Sequence, residues 1–380
     1  MARTLKSDKT LFLATLLLVG MSVVMVYSAS AVQALDKFNS PVHFFLKQLA
    51  WAVIGIVLML GAMRIDYHQY RRPALIWSLL TVTVLGLMAV FLFPKINGTH
   101  RWLSIAGLSL QPSELAKLVV IFFTAAVLER RMHRINDVSY AILPVGAVTV
   151  VLAALIVKEP DFGTTAVLVL VVTALLFSAG LSYRYIVGGV LVLLPAAATM
   201  IIASDYQRGR VLAFLDPAKY ALTTAFQLNQ SLIAVGSGGT FGKGLMAGVQ
   251  KLFFIPEPHT DFIYAVVGEE LGLIGTTVIL IAFLTIAWRG LRTALVAPDR
   301  FGALLALGIT TMLACQALVN MSVVIGLFPT KGIPLPFVSN GGSSLLINLV
   351  GMGILLNISQ QGSPVAAAAI DAPSGELVSV

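Results

Sequence analysis

The sequence predicts an all-α polytopic membrane protein of about ten transmembrane helices, with one long extracytoplasmic loop between the seventh and eighth. Two observations carry this. Hydrophobic residues make up 58% of the 380 residues and charged residues only 11%, whereas soluble domains carry nearer a quarter charged. The apolar residues also fall into runs of about 17 to 25, long enough to cross the hydrocarbon as helices. The net charge of +8 sits in short basic clusters between those runs, which marks topology rather than nucleic-acid binding. The single cysteine, Cys315, excludes an intrachain disulfide and a paired-cysteine metal site.

The predicted helices cover residues 11–32, 44–63, 74–93, 114–129, 139–157, 163–180, 185–203, 262–288, 302–326 and 342–358. The first run follows Arg3, Lys6 and Lys9 and ends near Ser28-Ala-Ser-Ala, which resembles a leader with its cleavage site. It is longer than a leader core, and more spans follow, so it reads as an uncleaved helix. With a cytoplasmic N-terminus, the cytoplasmic segments hold Arg64, Arg71, Arg72, Arg130, Arg131, Arg134, Arg184, Arg289, Arg292 and Arg300 besides the N-terminal cluster. The short outer loops hold only Lys37, Lys47, Lys95, Arg101, Lys158 and Lys331. This bias places both termini in the cytoplasm. The expected organisation is a cytoplasmic segment (1–10), one membrane domain (11–358) and a disordered cytoplasmic tail (359–380) rich in Ala, Ser and Gly.

The loop 204–261 is the one long insertion, and long connections are usually functional. Its glycine-dense centre, Gly236 to Gly244, suits a segment lying in the interface or re-entering the membrane. Arg208 and Arg210 stand two apart in it. They suit a diphosphate-bearing headgroup, although spacing alone favours plain attraction to anionic lipid headgroups. The stretch Phe254–Leu271 then brings Glu257, His259, Asp261, Glu269 and Glu270 to the edge of an apolar segment, where charge is costly. Asp261 falls where the eighth helix begins, so a helix cap and a reactive carboxylate are both open. On an ideal helix Glu269 lies about 80° around from Asp261 and Glu270 about 180°, so the two glutamates cannot both share its cavity.

Other polar constellations flank helix starts. Arg101 and Trp102 precede Pro112, with Glu114 and Lys117 forming an i, i+3 pair. Trp102 suits an interfacial anchor and the pair a structural or cavity-shaping role. Lys158-Glu-Pro-Asp-Phe-Gly-Thr places Asp161 as an N-cap. Lys158 is free there to meet a phosphate or to pair with Glu114 or Asp161. Gly341-Gly-Ser-Ser, with Ser343, opens the tenth helix beside Lys331, which makes an anion cradle or a packing turn. No metal-ligating residues are assigned, and the sequence leaves a divalent-cation cofactor open.

Taken in order, these motifs resemble the shape, elongation, division and sporulation (SEDS) family of membrane proteins. The matching residues are Gly98-Thr-His-Arg-Trp, Gln111-Pro-Ser-Glu-Leu-Ala-Lys, Lys158-Glu-Pro-Asp-Phe-Gly-Thr and Gln230-Ser-Leu-Ile-Ala-Val-Gly-Ser-Gly-Gly. They continue as Pro256-Glu-Pro-His-Thr-Asp-Phe-Ile, Gly268-Glu-Glu-Leu-Gly, Pro329-Thr-Lys-Gly, Leu335-Pro-Phe and Gly341-Gly-Ser-Ser-Leu-Leu. Arg210-Val-Leu-Ala-Phe-Leu-Asp-Pro and Pro329-Thr-Lys-Gly look more like the division branch than the elongation branch. Asn340 departs from the aromatic usual before the two glycines.

The resemblance implies ten helices and a peptidoglycan glycosyltransferase that polymerises lipid II at the outer face of the cytoplasmic membrane. It also implies a class B penicillin-binding transpeptidase partner, other division proteins, and a general-base role for Asp261. Arg208, Arg210, Lys331, Lys158, Arg101 and Ser343 are then candidates to hold the diphosphate. Glu114, Lys117, Trp102, Asp161, His259 and Glu269 would shape the cavity. A lipid II flippase and a non-catalytic division scaffold are the rival readings.

Overall fold

Ten long apolar helices, a small hairpin and two loop helices form one bundle in a computed structural model that describes residues 7–95, 99–105 and 108–362. The tail beyond residue 362, the first six residues and Gly98 of the Gly-Thr-His-Arg-Trp motif lie outside the described residues. In chain order the helices are α1 (Lys9–Phe38), α2 (His43–Arg64) and α3 (Pro73–Ala89), followed by the hairpin β1 (Leu103–Ile105) and β2 (Leu108–Leu110). Then come α4 (Pro112–Arg131), α5 (Leu143–Lys158), α6 (Phe162–Ser178) and α7 (Tyr183–Ala203). The loop helices α8 (Asp205–Leu215) and α9 (Phe226–Gly238) precede α10 (Ile263–Val296), α11 (Arg300–Val324) and α12 (Gly342–Gln360).

Each of the ten predicted segments is helical. Eight are long and apolar enough to cross a membrane. Of the others, α6 has 17 residues, and α4 carries Glu114, Lys117, Glu129, Arg130 and Arg131. The starts have local causes. Asp8, Asp161 and Asp299 cap α1, α6 and α11 by accepting from free backbone N–H groups. Pro73 and Pro112 fill first-turn positions where no N–H is needed. α1 runs unbroken through Ser28-Ala-Ser-Ala.

Most of α4, α11 and α12 is buried, and α4 packs against α3, α6 and α11 at the centre of the bundle. α12 lies along α2, while α10 lies between α1, α9 and α11. None of the side chains of α7 is buried.

The long loop is built into the bundle. α10 is broken at Gly272, whose φ of 64° is open to glycine without steric cost. The freed N–H groups of Leu273 and Ile274 donate to the carbonyls of Gly239 and Thr240 at 2.9 and 3.3 Å. In return Lys243 and Gly244 donate their N–H groups to the carbonyls of Glu269 and Glu270, both at 3.0 Å. Irregular backbone is tolerated among apolar helices when the protein satisfies it in this way. A Cβ at Gly242 would sit 2.1 Å from the Glu270 carbonyl, so the approach requires glycine.

Two ion pairs fasten the same segment. Lys243 Nζ meets Glu269 Oε1 at 2.8 Å. Lys251 Nζ meets Glu270 Oε1 at 2.6 Å and donates to Ser28 Oγ of α1 at 2.9 Å. Lys251, Glu270 and Ser28 are all buried. Removing one partner of such a pair strands a buried charge, at a cost of about 3–5 kcal/mol. Lys251→Met is therefore expected to lower thermal stability in detergent sharply, and adding Glu270→Gln to recover much of it. A single variant as stable as the parent would contradict the pairing.

Candidate active site

Four connections converge at one end of the bundle: the turn from α5 to α6, the segment before β1, the helix α8, and the chain after α11. They border a small open cleft lined by Arg101, Asp161, Tyr206, Arg210, Lys331 and Gly332 among others. Arg101 reaches it across the turn, with Nε donating to the Glu159 carbonyl at 2.9 Å and Nη2 to the Pro160 carbonyl at 2.6 Å. Arg210 donates from Nη1 to the Thr330 carbonyl at 3.0 Å and lies 4.5 Å over the Tyr206 ring. Backbone carbonyls orient both guanidinium groups without cancelling their charge. Lys331 adds a third cation, its ammonium drawn below the usual range by burial, with Asp161 opposing and Arg210 adding to the effect.

Asp261 borders this cleft across Gly332. A Cβ at Gly332 would lie 3.0 Å from Asp261 Oδ2 and 3.8 Å from Arg101 Nη1. Asp261 is not the helix cap: the N-cap of α10 is Phe262, with no side-chain capping bond. Burial pushes its carboxyl up from 3.8 to about 6, against the pull of Arg101 and Arg210 and with help from Asp161 and Glu257. The group titrates near neutrality in a cationic surround, a combination suited to proton transfer.

Glu159 was not singled out by sequence, although it stands inside the Lys158–Thr164 motif. It is wholly buried, and neither carboxyl oxygen has a hydrogen-bond partner. Burial pushes its carboxyl up from 4.5 to about 8, with Asp161 adding and Arg101 opposing. A neutral Glu159 at pH 7 leaves the charge of Arg101 available to the cleft.

The remaining candidates separate. Asp161 lines the cleft and also caps α6, accepting from Thr164 N at 3.1 Å and Thr164 Oγ1 at 2.9 Å. Arg208 is exposed and outside the cleft lining, because α8 is a helix and residues two apart face different ways. The two arginines therefore do not act as a pair. Lys158 is likewise exposed at the end of α5 and outside the cleft lining. The partner considered for it, Glu114, is taken by Lys117 at 2.8 Å in a fully buried pair.

Ser343 accepts from Gln111 N at 3.0 Å and donates to the Ser109 carbonyl at 3.1 Å, tying the hairpin to α12. The turn before it is closely packed, since a Cβ at Gly342 would strike Trp51 at 2.4 Å. Trp102 is half-buried beside Arg101. His259 is buried against Phe44, ring centroids 4.5 Å apart, and burial with Lys37 nearby holds its imidazole down to about 4, hence neutral. Glu269 serves the loop through Lys243. The helical-wheel comparison with Asp261 does not apply, because Asp261 precedes the helix. Among the described residues no group of three or more His, Cys, Asp or Glu is placed to hold a metal ion.

The chain is thus a multi-pass helical membrane protein with a cationic cleft and a neighbouring carboxylate of raised pKa at one end of the bundle. Residues 9–363 match the FtsW/RodA/SpoVE family, described as cell cycle protein, and the chain belongs to that family. It is similar to the probable peptidoglycan glycosyltransferase FtsW of Geobacter metallireducens, 45% identical over 363 residues covering 94% of this chain and 96% of that protein. It is also similar to the stage V sporulation protein E of Bacillus subtilis, 40% identical over 358 residues covering 93% and 97%.

Among solved structures it resembles a chain from a study of the structural coordination of polymerization and crosslinking by a peptidoglycan synthase complex. That match has a TM-score of 0.78 and 27% identity, covering 93% of this chain and 98% of that one. The rod shape determining protein RodA of Thermus thermophilus matches with a TM-score of 0.69 and 26% identity, covering 94% and 97%. The FtsW relatives agree with the division-branch motifs.

The state of Glu159 has a measurable consequence. Its folded pKa lies above its ordinary value, so the protein binds that proton more tightly folded than unfolded. Stability is then full below about pH 4.5 and is lost as pH rises toward about 8. Glu159→Gln is expected to match the parent in thermal melts near pH 4.5 and to exceed it increasingly toward pH 8. A variant less stable than the parent at pH 7 would contradict a buried, neutral Glu159.

Proposed function

We propose that this protein is a peptidoglycan glycosyltransferase of the division branch, polymerising lipid II into glycan strands during septal wall synthesis. The observation that carries the reading is the cleft itself: two arginines held by carbonyls and a lysine converge beside a carboxylate with a pKa near 6. Arg101, Arg210 and Lys331 hold the diphosphate of the lipid-linked donor and stabilise the charge that grows on it. Asp261 takes the proton from the acceptor sugar hydroxyl as its oxygen attacks the anomeric carbon of the donor. The bond from that carbon to the diphosphate breaks, and undecaprenyl pyrophosphate departs with the electron pair.

The placement of basic residues supports cytoplasmic termini, and with them a cleft on the outer face of the cytoplasmic membrane. The names of the relatives and the synthase-complex neighbour support a crosslinking partner, which we take to be a class B penicillin-binding transpeptidase, together with other division proteins.

General-base catalysis is worth about 10² to 10⁴ in rate. Purified Asp261→Asn, assayed with labelled lipid II and the transpeptidase, is expected to lose polymerisation by that order while keeping its melting temperature. The parent rate is expected to fall as pH drops through about 6, where Asp261 becomes protonated. Normal chain formation by Asp261→Asn would remove Asp261 from the mechanism. A polymerase-dead variant that still supports division would favour the scaffold reading.

A further inference from the structure

Asn320 stands inside the apolar run of α11 with 1% of its surface exposed. Its Nδ2 donates twice, to the Asp261 carbonyl at 2.8 Å and to the Ile333 carbonyl at 2.7 Å. Its Oδ1 is buried without a partner. A leucine of similar size would avoid leaving that oxygen unsatisfied. The amide therefore supplies donation, and both acceptors belong to chain segments that meet at the cleft.

Asp261 carries the carboxylate, while Ile333 follows Lys331 and Gly332, both of which line the cleft. The two segments are strung together by further bonds. Ser339 Oγ donates to the Thr260 carbonyl at 2.7 Å, and Asn340 N donates to the His259 carbonyl at 2.9 Å. Of these ties, the one from Asn320 is nearest the carboxylate and comes from a packed helix, so it references both segments to the rigid core. The gap it controls is narrow, because Gly332 lies close enough to Asp261 Oδ2 that a methyl group between them would be crowded.

We infer that Asn320 is a positioning residue for the reaction: one buried amide fixes the main chain of Asp261 against that of Lys331–Gly332 and so sets the carboxylate relative to the cationic cleft. The inference rests on Asp261 being the general base. It predicts an effect on turnover more than on donor binding, since Arg101 is held by the Glu159 and Pro160 carbonyls, outside both segments. A misplacement of about 1 Å at a reacting group can cost on the order of 100-fold.

The test compares Asn320→Leu with Gln316→Leu, an equally buried amide one turn earlier on α11, in the full-length protein with its transpeptidase partner and labelled lipid II. Asn320→Leu is expected to lower kcat by about 10- to 100-fold while KM changes far less, and Gln316→Leu to retain the parent rate. A second readout is independent of catalysis. In a Cys315→Ala background, the thiol of Asp261→Cys is labelled with a small charged methanethiosulfonate, and adding Asn320→Leu is expected to change that labelling rate severalfold. An unchanged kcat together with an unchanged labelling rate overturns the inference. Equal loss of rate and melting temperature in both leucine variants overturns it as well, since that marks general packing. If labelling responds to Asn320 but Asp261→Asn still polymerises, the positioning stands and the base assignment is the part that fails.

Discussion

The ion pairs of Lys243 with Glu269 and Lys251 with Glu270 join the long loop to α10 and α1 among apolar helices, where an unpaired charge is severely disfavoured. This constraint explains why the loop is part of the bundle. Its backbone completes the hydrogen bonds of a helix broken at Gly272, and its lysines neutralise the two glutamates beside the break. The chain leaves that anchor at Lys251 and reaches Asp261 ten residues later, so the placement of the carboxylate depends on the anchor. Lys117 and Glu114 follow the same rule within α4.

The cleft is the contrasting case. Arg101 and Arg210 are directed by carbonyls, and the nearby Glu159 is held neutral by burial. Positive charge that the buried pairs Lys117–Glu114 and Lys251–Glu270 cancel is retained at the place where an anionic group would be received. Low local dielectric strengthens that field and at the same time raises the pKa of Asp261 toward the working range.

The helices were legible because length and apolarity decide membrane spans with little help from tertiary context; α2, predicted at 44–63, runs His43–Arg64. What escaped was decided by contacts. The helices α8 and α9 lie in a loop of mixed composition, where Arg208 and Arg210 stand two apart in sequence. The helix divides them. Glu269 and Glu270 were recognised as unusual, but their lysine partners lie 26 and 19 residues earlier in a glycine-rich stretch without periodicity. Asn320 gave one usable signal, an amide in an apolar run that also holds Gln316, and its role became visible only through the two carbonyls it bridges. Asp261 as a site residue came from its motif, and its departure from the capping position came from the structure.

The central claim is that the cationic cleft beside Asp261 receives the diphosphate of a lipid-linked sugar. The most direct measurement is a structure of the Asp261→Asn protein with its transpeptidase and bound lipid II. The account predicts the diphosphate bonded to Arg101, Arg210 and Lys331, with the sugar's anomeric carbon facing residue 261. A diphosphate bound elsewhere, with this cleft empty, would contradict it.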